Sequence, residues 1–274
     1  MAGACQLAAG YRDFGVGPRF CVDWTPARSP SRGALLVLPA FGEEMNKCRR
    51  TLALAARRLA ESGFQVRSVD AFGTGDSPGE FGEARWATWV DDYRAAAADL
   101  ARTSGQPVGF WAVRSGSLLA TELTDDGSRV LLWQPVVSGD QFLTQILRVK
   151  VAADTFGGKG ATTTTKELRK RLEAGERLEV AGYDLDPELV LPMAQRTLGE
   201  WRRWPAHIDW LETGGEPSLE PPPGSARAIA ALRSHGVAID YGHGVGEPFW
   251  MTLEIAENST LADVSIDRLG VTTA

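Results

Sequence analysis

A strand, a sharp turn and a helix of small residues are predicted over the sequence VGFWAVRSGSLLA, which begins at Val108. This arrangement, with the pattern G-x-S-x-G at the turn, presents a serine hydroxyl for attack on a carbonyl carbon. Here the turn reads AVRSG from Ala112, so Arg114 stands in the position of the serine. An arginine stays protonated and has no lone pair with which to attack. Serine chemistry therefore fails in this register at its first step.

Ser115 supplies a nucleophile only if the turn is shifted by one residue. The shifted pattern begins at Val113, a β-branched residue where close packing prefers glycine. Glu216 and His243 each follow a predicted strand, so the chain order serine, acid, histidine is available. The alternatives are that Ser115 caps a helix and that His243, between two glycines, occupies a loop. Ser115, Glu216 and His243 form the candidate catalytic triad.

Arg114 is informative in itself, because a cation at a helix N-terminus opposes the helix dipole unless an anion accompanies it. Glu43, Glu44 and Glu247 are the candidate partners. One hypothesis is a structural ion pair that closes the pocket. The other is a planar fork that binds the carboxylate or phosphate of a ligand. The ion pair is the favoured interpretation.

Two further turns follow predicted strands. In LLVLPAFGEE the turn would place the backbone N–H of Phe41 or Gly42 where it stabilises an oxyanion. DAFGTGDS, which begins at Asp70, follows the next strand and is typical of a tight, glycine-rich loop. A dinucleotide-binding fingerprint would need a third glycine where Pro78 stands, so that function is disfavoured.

These turns must be held by a regular scaffold, and short apolar runs that alternate with helical patterns predict one. The alternation indicates an α/β fold with a mostly parallel central sheet and helices on both faces. The predicted strands are 34–38, 65–70, 108–113, 130–134, 208–212 and 237–241, and CVDWTP near the start could add an antiparallel edge strand. A core-facing helix is indicated by apolar residues at the helical period, namely Trp86, Trp89, Val90, Tyr93, Ala97 and Leu100.

The alternation of predicted strands and helices stops over residues 139–204, where three helical segments follow one another without a convincing strand. We expect this segment to be a helical cap inserted into a core built from residues 1–138 and 205–274. The stretch from Gly157 to Thr165 is expected to be a mobile cap loop and not a phosphate loop, since Lys159 is followed by glycine. The proline-rich stretch from Glu216 to Gly224 is expected to be a turn-rich connection.

Composition excludes several classes of function. The 29 basic and 35 acidic residues give a net charge of −6 without a basic stripe, which argues against nucleic-acid binding. No apolar run is long enough to span a membrane and no secretory leader is evident, so a cytoplasmic protein is expected.

Neither the cysteines nor the histidines have metal-ligand spacing, and we expect no metal, cofactor or disulfide. These residues are Cys5, Cys21, Cys48, His207, His235 and His243. Asn258 is expected to mark a helix start.

A resemblance to a known family is carried by six blocks between about Ala34 and Trp250. In order they read LPAFGEEMNKCRRTLALAARRLAESGF, DAFGTGDSPGEFGEARWATWVDD, WAVRSG, LLWQPVVSGDQFLTQILR, AGYDLDPEL and GEPFW. They resemble the second type of hydrolase associated with the exosortase A system, in the α/β-hydrolase superfamily. The family's elbow pattern is Gly-Leu-Arg-x-Gly; this chain has Ala112 in place of the first glycine and Ser115 at the variable position. His243 lies in no motif of the family.

The resemblance implies an α/β-hydrolase fold and a bacterial cytosolic protein of the exosortase A and exopolysaccharide locus, beside acyl-activating and acyl-carrier functions. It also implies that polar residues of several blocks meet at the carboxyl ends of the strands, where open α/β sheets bind ligands. The residues carried over are Glu43, Glu44, Asn46, Lys47, Arg50, Asp76, Ser77, Arg114, Gln134, Phe249 and Trp250.

Two functional hypotheses remain open. The first is a hydrolase or acyl transferase acting on an ester, a thioester or an amide, such as an acyl group carried on a thiol. Its nucleophile is Ser115, or a water activated by Glu43 or Glu44 while Arg114 stabilises the oxyanion. The second is a non-catalytic protein of the same fold that binds an anionic small molecule, or a partner of the export or polysaccharide machinery. The identity of any protein partner is left open.

Overall fold

The computed structural model describes residues 4–27, 30–156, 163–252, 254 and 256–270. The strands are β1 Cys5–Asp13, β2 Pro18–Pro26, β3 Gly33–Leu38, β4 Phe64–Val69, β5 Val108–Val113, β6 Arg129–Trp133, β7 Leu178–Val180, β8 Tyr183–Leu185, β9 His207–Gly214 and β10 Ala238–Val245. The α-helices are α1 Glu43–Glu61, α2 Trp86–Ser104, α3 Gly116–Leu123, α4 Gly139–Phe156, α5 Thr165–Glu173, α6 Pro187–Ala194, α7 Pro223–Ser234 and α8 Ser259–Gly270, and Phe81–Glu83 forms a short 3-10 helix.

Eight of these strands form one sheet in the order β1-β2-β4-β3-β5-β6-β9-β10. The six strands from β4 to β10 are parallel, and β2 and β1 continue the sheet antiparallel. The predicted α/β-hydrolase fold with a mostly parallel sheet is thereby confirmed. The chain crosses between parallel strands through helices, so the carboxyl ends of β3, β5 and β6 meet at one edge of the sheet.

The expected antiparallel strand at CVDWTP is confirmed, but its expected place at the edge of the sheet was wrong. These residues lie in β2, which pairs with β4 on one side and with β1 on the other. The edge strand on this side of the sheet is β1, whose residues are mostly exposed. Its sequence, CQLAAGYRD, has no alternation of apolar and polar residues because neither face is fully covered, and sequence periodicity therefore gives no signal there.

Each sheet face packs against its own layer of helices. In β5, Phe110 and Ala112 contact the layer that contains α2, whereas Trp111 and Val113 contact the layer of α1 and α8. This split follows from the alternation of side chains along a strand. Helix α8 begins after Asn258, whose side-chain oxygen accepts a hydrogen bond from the backbone N–H of Leu261 at 3.2 Å. The predicted helix start at Asn258 is thus confirmed.

Between β6 and β9 the chain forms α4, α5, a short hairpin of β7 and β8, and α6. The expectation of a segment without strands was wrong, because the two three-residue strands are too short to show a period. Their two-residue loop consists of Ala181 and Gly182, both at positive φ (50° and 84°), as tight hairpin loops require.

The division of the chain at residues 138/139 and 204/205 stays a prediction. Of the expected cap loop, residues 157–162 lie outside the described residues.

Candidate functional site

The turn after β5 has the sharp geometry expected of a nucleophile position. Arg114 has a φ of 53°, which costs a non-glycine residue about 1 kcal/mol or more. Gly116, two residues later, begins α3 so close to β3 that an added Cβ would lie 2.0 Å from the carbonyl oxygen of Leu38. The strand, the strained residue and the closely packed glycine together form a nucleophile elbow, and the residue at its apex is Arg114.

The side chain of Arg114 is held by three groups at the carboxyl ends of the strands. Its Nε and Nη2 donate to the two carboxylate oxygens of Glu44 at 3.1 and 3.0 Å, and its Nη1 donates to the carbonyl oxygen of Gln134 at 3.2 Å. The guanidinium lies 4.7 Å from the ring centre of Trp250. Of the three predicted partners, Glu44 is therefore the one that binds Arg114, and the ion pair is of the strong bidentate kind.

The three members of the candidate triad are not brought together. Ser115 is 5% exposed and its Oγ has no hydrogen-bond partner among the described residues, and the same holds for Nδ1 of His243. Glu216 lies in the exposed turn after β9. His243 lies inside β10 and not in a loop after it, and β10 is three strand spacings, about 14 Å, from β5. A histidine fixed within that strand has no loop with which to reach the elbow.

The turn after β3 lies beside the elbow and keeps its hydrogen-bond donors free. Among the hydrogen bonds of the described residues, none has the backbone N–H of Phe41, Gly42 or Ser115 as its donor. These three residues line a small cavity of about 20 Å³, here called the inner cavity, together with side chains that include Trp86 and Leu119. Helix α1 begins just after Gly42 and α3 just after Ser115, so two helix N-termini converge on this space. Such an arrangement favours an anion or the oxygen of a polarised carbonyl.

A larger space of about 330 Å³, here called the outer cleft, begins at the same turn. Phe41 and Gly42 line both spaces, so the turn after β3 forms their common wall. The volume of the outer cleft falls in the range typical of small-molecule sites. The walls come from the start of α1, from α4, from the β7–β8 hairpin and from the segment after Phe249; their apolar members are Phe142, Ile146, Val149, Val180, Leu185, Trp250 and Met251.

Charged groups are confined to the α1 wall of the outer cleft. Glu44 is neutralised by Arg114, and the Glu43 carboxylate accepts hydrogen bonds from Asn46 and Tyr183 at 3.3 and 3.4 Å. Burial, followed by the charge of Glu43, raises the pKa of Tyr183. Lys47 lines the cleft and has no carboxylate within 4.0 Å among the residues described. Lys47 is thus the cation of this wall that is available to a ligand.

Other residues carried over from the family resemblance serve the scaffold. The Ser77 hydroxyl accepts from the backbone N–H of Phe20 at 2.8 Å, and Asp76 is exposed with its backbone N–H bound to Asp70. Arg50 pairs with Glu257 on the outer side of α1.

Gln134 and Phe249 lie behind the cleft. The side chain of Gln134 accepts from the backbone N–H of Thr213 at 2.8 Å, and Phe249 is fully buried against Trp133 and Trp250. The contribution of Tyr183 and α4 to the cleft could not be predicted from the sequence, because side chains of the cap give no motif. Trp86 was expected to serve packing alone, since a helical stripe of apolar residues does not reveal which of them meets a cavity.

One cluster at the opposite edge of the sheet has the composition of a metal site. His207, Asp209 and Asp240 lie at the amino-terminal ends of β9 and β10, with one ligand atom of each within 4.8 Å of the others. Sequence spacing did not reveal it, since the three residues meet only through strand pairing. Arg129 donates to Asp209 at 2.9 Å, and Nε2 of His207 lies 3.2 Å from the same carboxylate. With both oxygens of Asp209 engaged, the geometry is that of an ion-pair network.

The sequence profile described as serine aminopeptidase, S33, matches residues 29–194, which is more than half of the chain. The chain belongs to this family of α/β-hydrolases. No curated protein matches the sequence. In the described residues, no helix combines the length and the apolar character that crossing a membrane requires.

Solved structures of similar fold include esterases and a lipase. The ferulic-acid complex of Est1E from Butyrivibrio proteoclasticus is 12% identical, with a TM-score of 0.58 over 95% of this chain and 96% of that one. A thermostable carboxyl esterase from Bacillus coagulans is 14% identical, with a TM-score of 0.59 over 97% and 98%. A soluble variant of monoglyceride lipase from Saccharomyces cerevisiae is 12% identical, with a TM-score of 0.60 over 96% and 94%. At these identities the similarity establishes the fold, whereas function depends on the residues of the site.

Proposed function

We propose that this S33-family chain binds an acyl compound, a small molecule with an apolar chain and a carbonyl or carboxylate end, and does not attack it through a serine. The observation that carries the proposal is the side chain at the apex of the elbow. Arg114 takes the nucleophile's position and is fixed there by a bidentate contact with Glu44. Because a guanidinium has no lone pair to donate, this position cannot supply a nucleophile.

The surroundings of Arg114 support a ligand of this class. The outer cleft is mainly apolar, which suits a hydrocarbon chain, and it meets the free backbone N–H groups of Phe41 and Gly42 at one end. These donors suit the acyl oxygen. Lys47 is the positively charged group of the cleft wall, beside the Glu43 carboxylate, and attracts the negative end of a ligand locally.

A second candidate function is hydrolysis or acyl transfer on an ester, thioester or amide. The observation that favours it is the hydroxyl of Ser115, which is buried beside the same turn without a hydrogen-bond partner. In this case Ser115, or a water activated by Glu43 or Glu44, would attack the carbonyl carbon, and Arg114 would stabilise the oxyanion. Among the described residues, no histidine lies at the elbow to accept the proton of Ser115, so the binding function is preferred.

We also propose that the ligand belongs to the exosortase A and exopolysaccharide context, as an acyl group that is free or carried on a thiol, in a bacterial cytoplasm. The support for this step is the set of six sequence blocks, among them WAVRSG and GEPFW. A partner protein of that machinery would have to present its acyl group at the outer cleft.

The experiment that separates the two functions combines covalent labelling with ligand titration. A fluorophosphonate is added to the purified chain and to two variants, Ser115→Ala and the control Ser117→Ala, and any adduct is mapped by peptide mass spectrometry. Ser117 is a suitable control because its hydroxyl already contacts the Arg114 and Val136 carbonyls. Binding of decanoate is followed by calorimetry. Saturable binding without an adduct supports the proposal. A stoichiometric adduct on Ser115 that disappears in Ser115→Ala contradicts it and establishes the catalytic alternative.

The contribution of the Lys47 charge to decanoate binding is tested with a pair of variants. Lys47→Met is expected to weaken decanoate binding severalfold at low salt, whereas Lys170→Met, on the exposed side of α5, is expected to leave it unchanged. Equal affinities in the two variants would remove Lys47 from the site.

A further inference from the structure

Two residues that line the inner cavity each carry a buried hydrogen-bond donor without an acceptor among the described residues. Oγ of Ser115 and Nε1 of Trp86 are each without a partner among the described residues, and both residues line this cavity. Both residues are 5% exposed. An unpaired buried donor costs about 1–3 kcal/mol, so two at one cavity indicate an acceptor that the folded chain does not itself supply.

The neighbouring aromatic and hydroxyl groups show that this is a property of these two side chains and not of the region. Trp89 lines the same cavity, and its Nε1 donates to the carbonyl oxygen of Phe72 at 3.0 Å. Tyr93 donates to the carbonyl oxygen of Val69 at 3.2 Å, and Thr74 to that of Ala71 at 2.8 Å. Among the side chains of this wall, Ser115 and Trp86 therefore carry the donors that lack an acceptor in the described residues.

The number of donors selects the chemical class of that acceptor. Besides these two side chains, the backbone N–H groups of Ser115, Phe41 and Gly42 have no acceptor among the described residues, and all three residues line the same cavity. An ester or amide carbonyl oxygen has two lone pairs, whereas a carboxylate offers about four acceptor positions on two oxygens. Five donors exceed the two lone pairs of a carbonyl oxygen and match a carboxylate better, and the N-termini of α1 and α3 favour its negative charge.

We infer that the inner cavity is a carboxylate site in which Trp86 and Ser115 select the free acid over the ester. The cavity volume of about 20 Å³ admits one oxygen-sized group. One carboxylate oxygen enters it to meet Trp86 Nε1 and Ser115 Oγ, and the other stays at the mouth, at the Phe41–Gly42 turn. The apolar chain then runs into the outer cleft. This inference rests on the proposed binding of an acyl compound and specifies its ionised, unesterified form.

The test compares decanoate with methyl decanoate by calorimetry at pH 8. The wild-type chain is expected to bind the acid at least about tenfold more tightly than the ester, the effect of one hydrogen bond to a charged group. Trp86→Phe keeps an aromatic ring and removes the N–H; it is expected to weaken acid binding about tenfold and to leave ester binding unchanged. Ser115→Ala, which removes a hydroxyl without a partner, is expected to act in the same direction and is the more conservative change to the fold.

Trp201→Phe is the matched control, since Trp201 is 7% exposed and its Nε1 donates to the Leu198 carbonyl at 2.9 Å, outside both spaces. It is expected to lower stability and to preserve the ratio of acid to ester affinity. A merely structural role of Trp86 would weaken both ligands alike. Equal binding of acid and ester by the wild-type chain, or an unchanged ratio in both Trp86→Phe and Ser115→Ala, overturns the inference while the binding function stands. Failure of both ligands to bind overturns the proposed function itself.

Discussion

Arg114 and Glu44 join the turn after β5 to the first turn of α1 through two parallel hydrogen bonds of 3.1 and 3.0 Å. Both side chains are largely buried, with 14% and 24% of their surface exposed. The contact therefore fixes the turn after β5 against the start of α1, which directly follows the Phe41–Gly42 wall between the inner cavity and the outer cleft. It also offsets the cation that the elbow places at the start of α3.

Removing the charge of Glu44 is expected to destabilise the chain. Glu44→Gln leaves the guanidinium without its anion and should lower the free energy of unfolding by about 1–3 kcal/mol. Glu43→Gln, the adjacent exposed carboxylate, should change it by less than about 0.5 kcal/mol. Urea denaturation at neutral pH measures both. Equal effects of the two substitutions would show that the Arg114–Glu44 pair contributes nothing to the elbow.

The close approach of α3 to β3 predicts that Gly116 tolerates no side chain. The Cβ of Gly116→Ala would lie 2.0 Å from the Leu38 carbonyl oxygen, so backbone must move, at a cost of about 2 kcal/mol or more. Gly127→Ala is the control, because its Cβ meets nothing nearer than 3.7 Å. Thermal unfolding of the two variants is the measurement. A Gly116→Ala variant as stable as Gly127→Ala would contradict the elbow geometry.

The ion-pair network around Asp209 predicts a pH-dependent contribution to stability. Burial raises the pKa of Asp209, but the hydrogen bonds from His207 and Arg129 outweigh it and hold the pKa below its ordinary value. Asp209 is fully buried. A carboxyl group whose pKa is lower in the folded state than in the unfolded state, where it is about 3.9, stabilises the fold. This stabilisation is complete at pH values above the unfolded-state pKa, and it is lost as the pH falls through the folded-state pKa.

Asp209→Asn is therefore expected to cost about 3 kcal/mol at pH 7, and the difference from the wild-type chain should shrink on acidification below about pH 4. Urea midpoints across that range provide the measurement. Asp126→Asn, in an exposed turn, should show little effect at any pH. A penalty for Asp209→Asn that does not change between pH 7 and pH 3 would exclude this contribution.

Burial also predicts which thiols react. Burial raises the pKa of Cys21 to about 12 and raises that of Cys48 still further, and both side chains are at most 1% exposed. Neither forms thiolate at pH 8, and the thiolate is the reactive species. Iodoacetamide should thus modify Cys5 alone in the folded chain and all three cysteines in urea, as read by intact mass. Modification of a second cysteine without unfolding would contradict the packing around β2 or α1.

Much of the fold could be predicted from local patterns. The parallel strands β3, β5 and β6 each carry a run of apolar residues that is buried on both faces, and α2 shows its buried face at the helical period. The edge strand β1 and the β7–β8 hairpin were missed because one is exposed and the other is only three residues a side. Where burial does not impose a period, the sequence carries none to detect.

At the elbow, too, some features could be predicted from the sequence and others could not. The sequence by itself determined that Arg114 occupies the turn after β5 and that acidic residues follow the turn after β3, since both depend on the order of residues around a strand end. Only the tertiary structure decided that Glu44, and not Glu43 or Glu247, binds the guanidinium, that His243 is held within β10, and that Ser115 and Trp86 share a cavity. These relationships join segments far apart in the chain, and their distances are set by strand order, helix packing and the position of the cap.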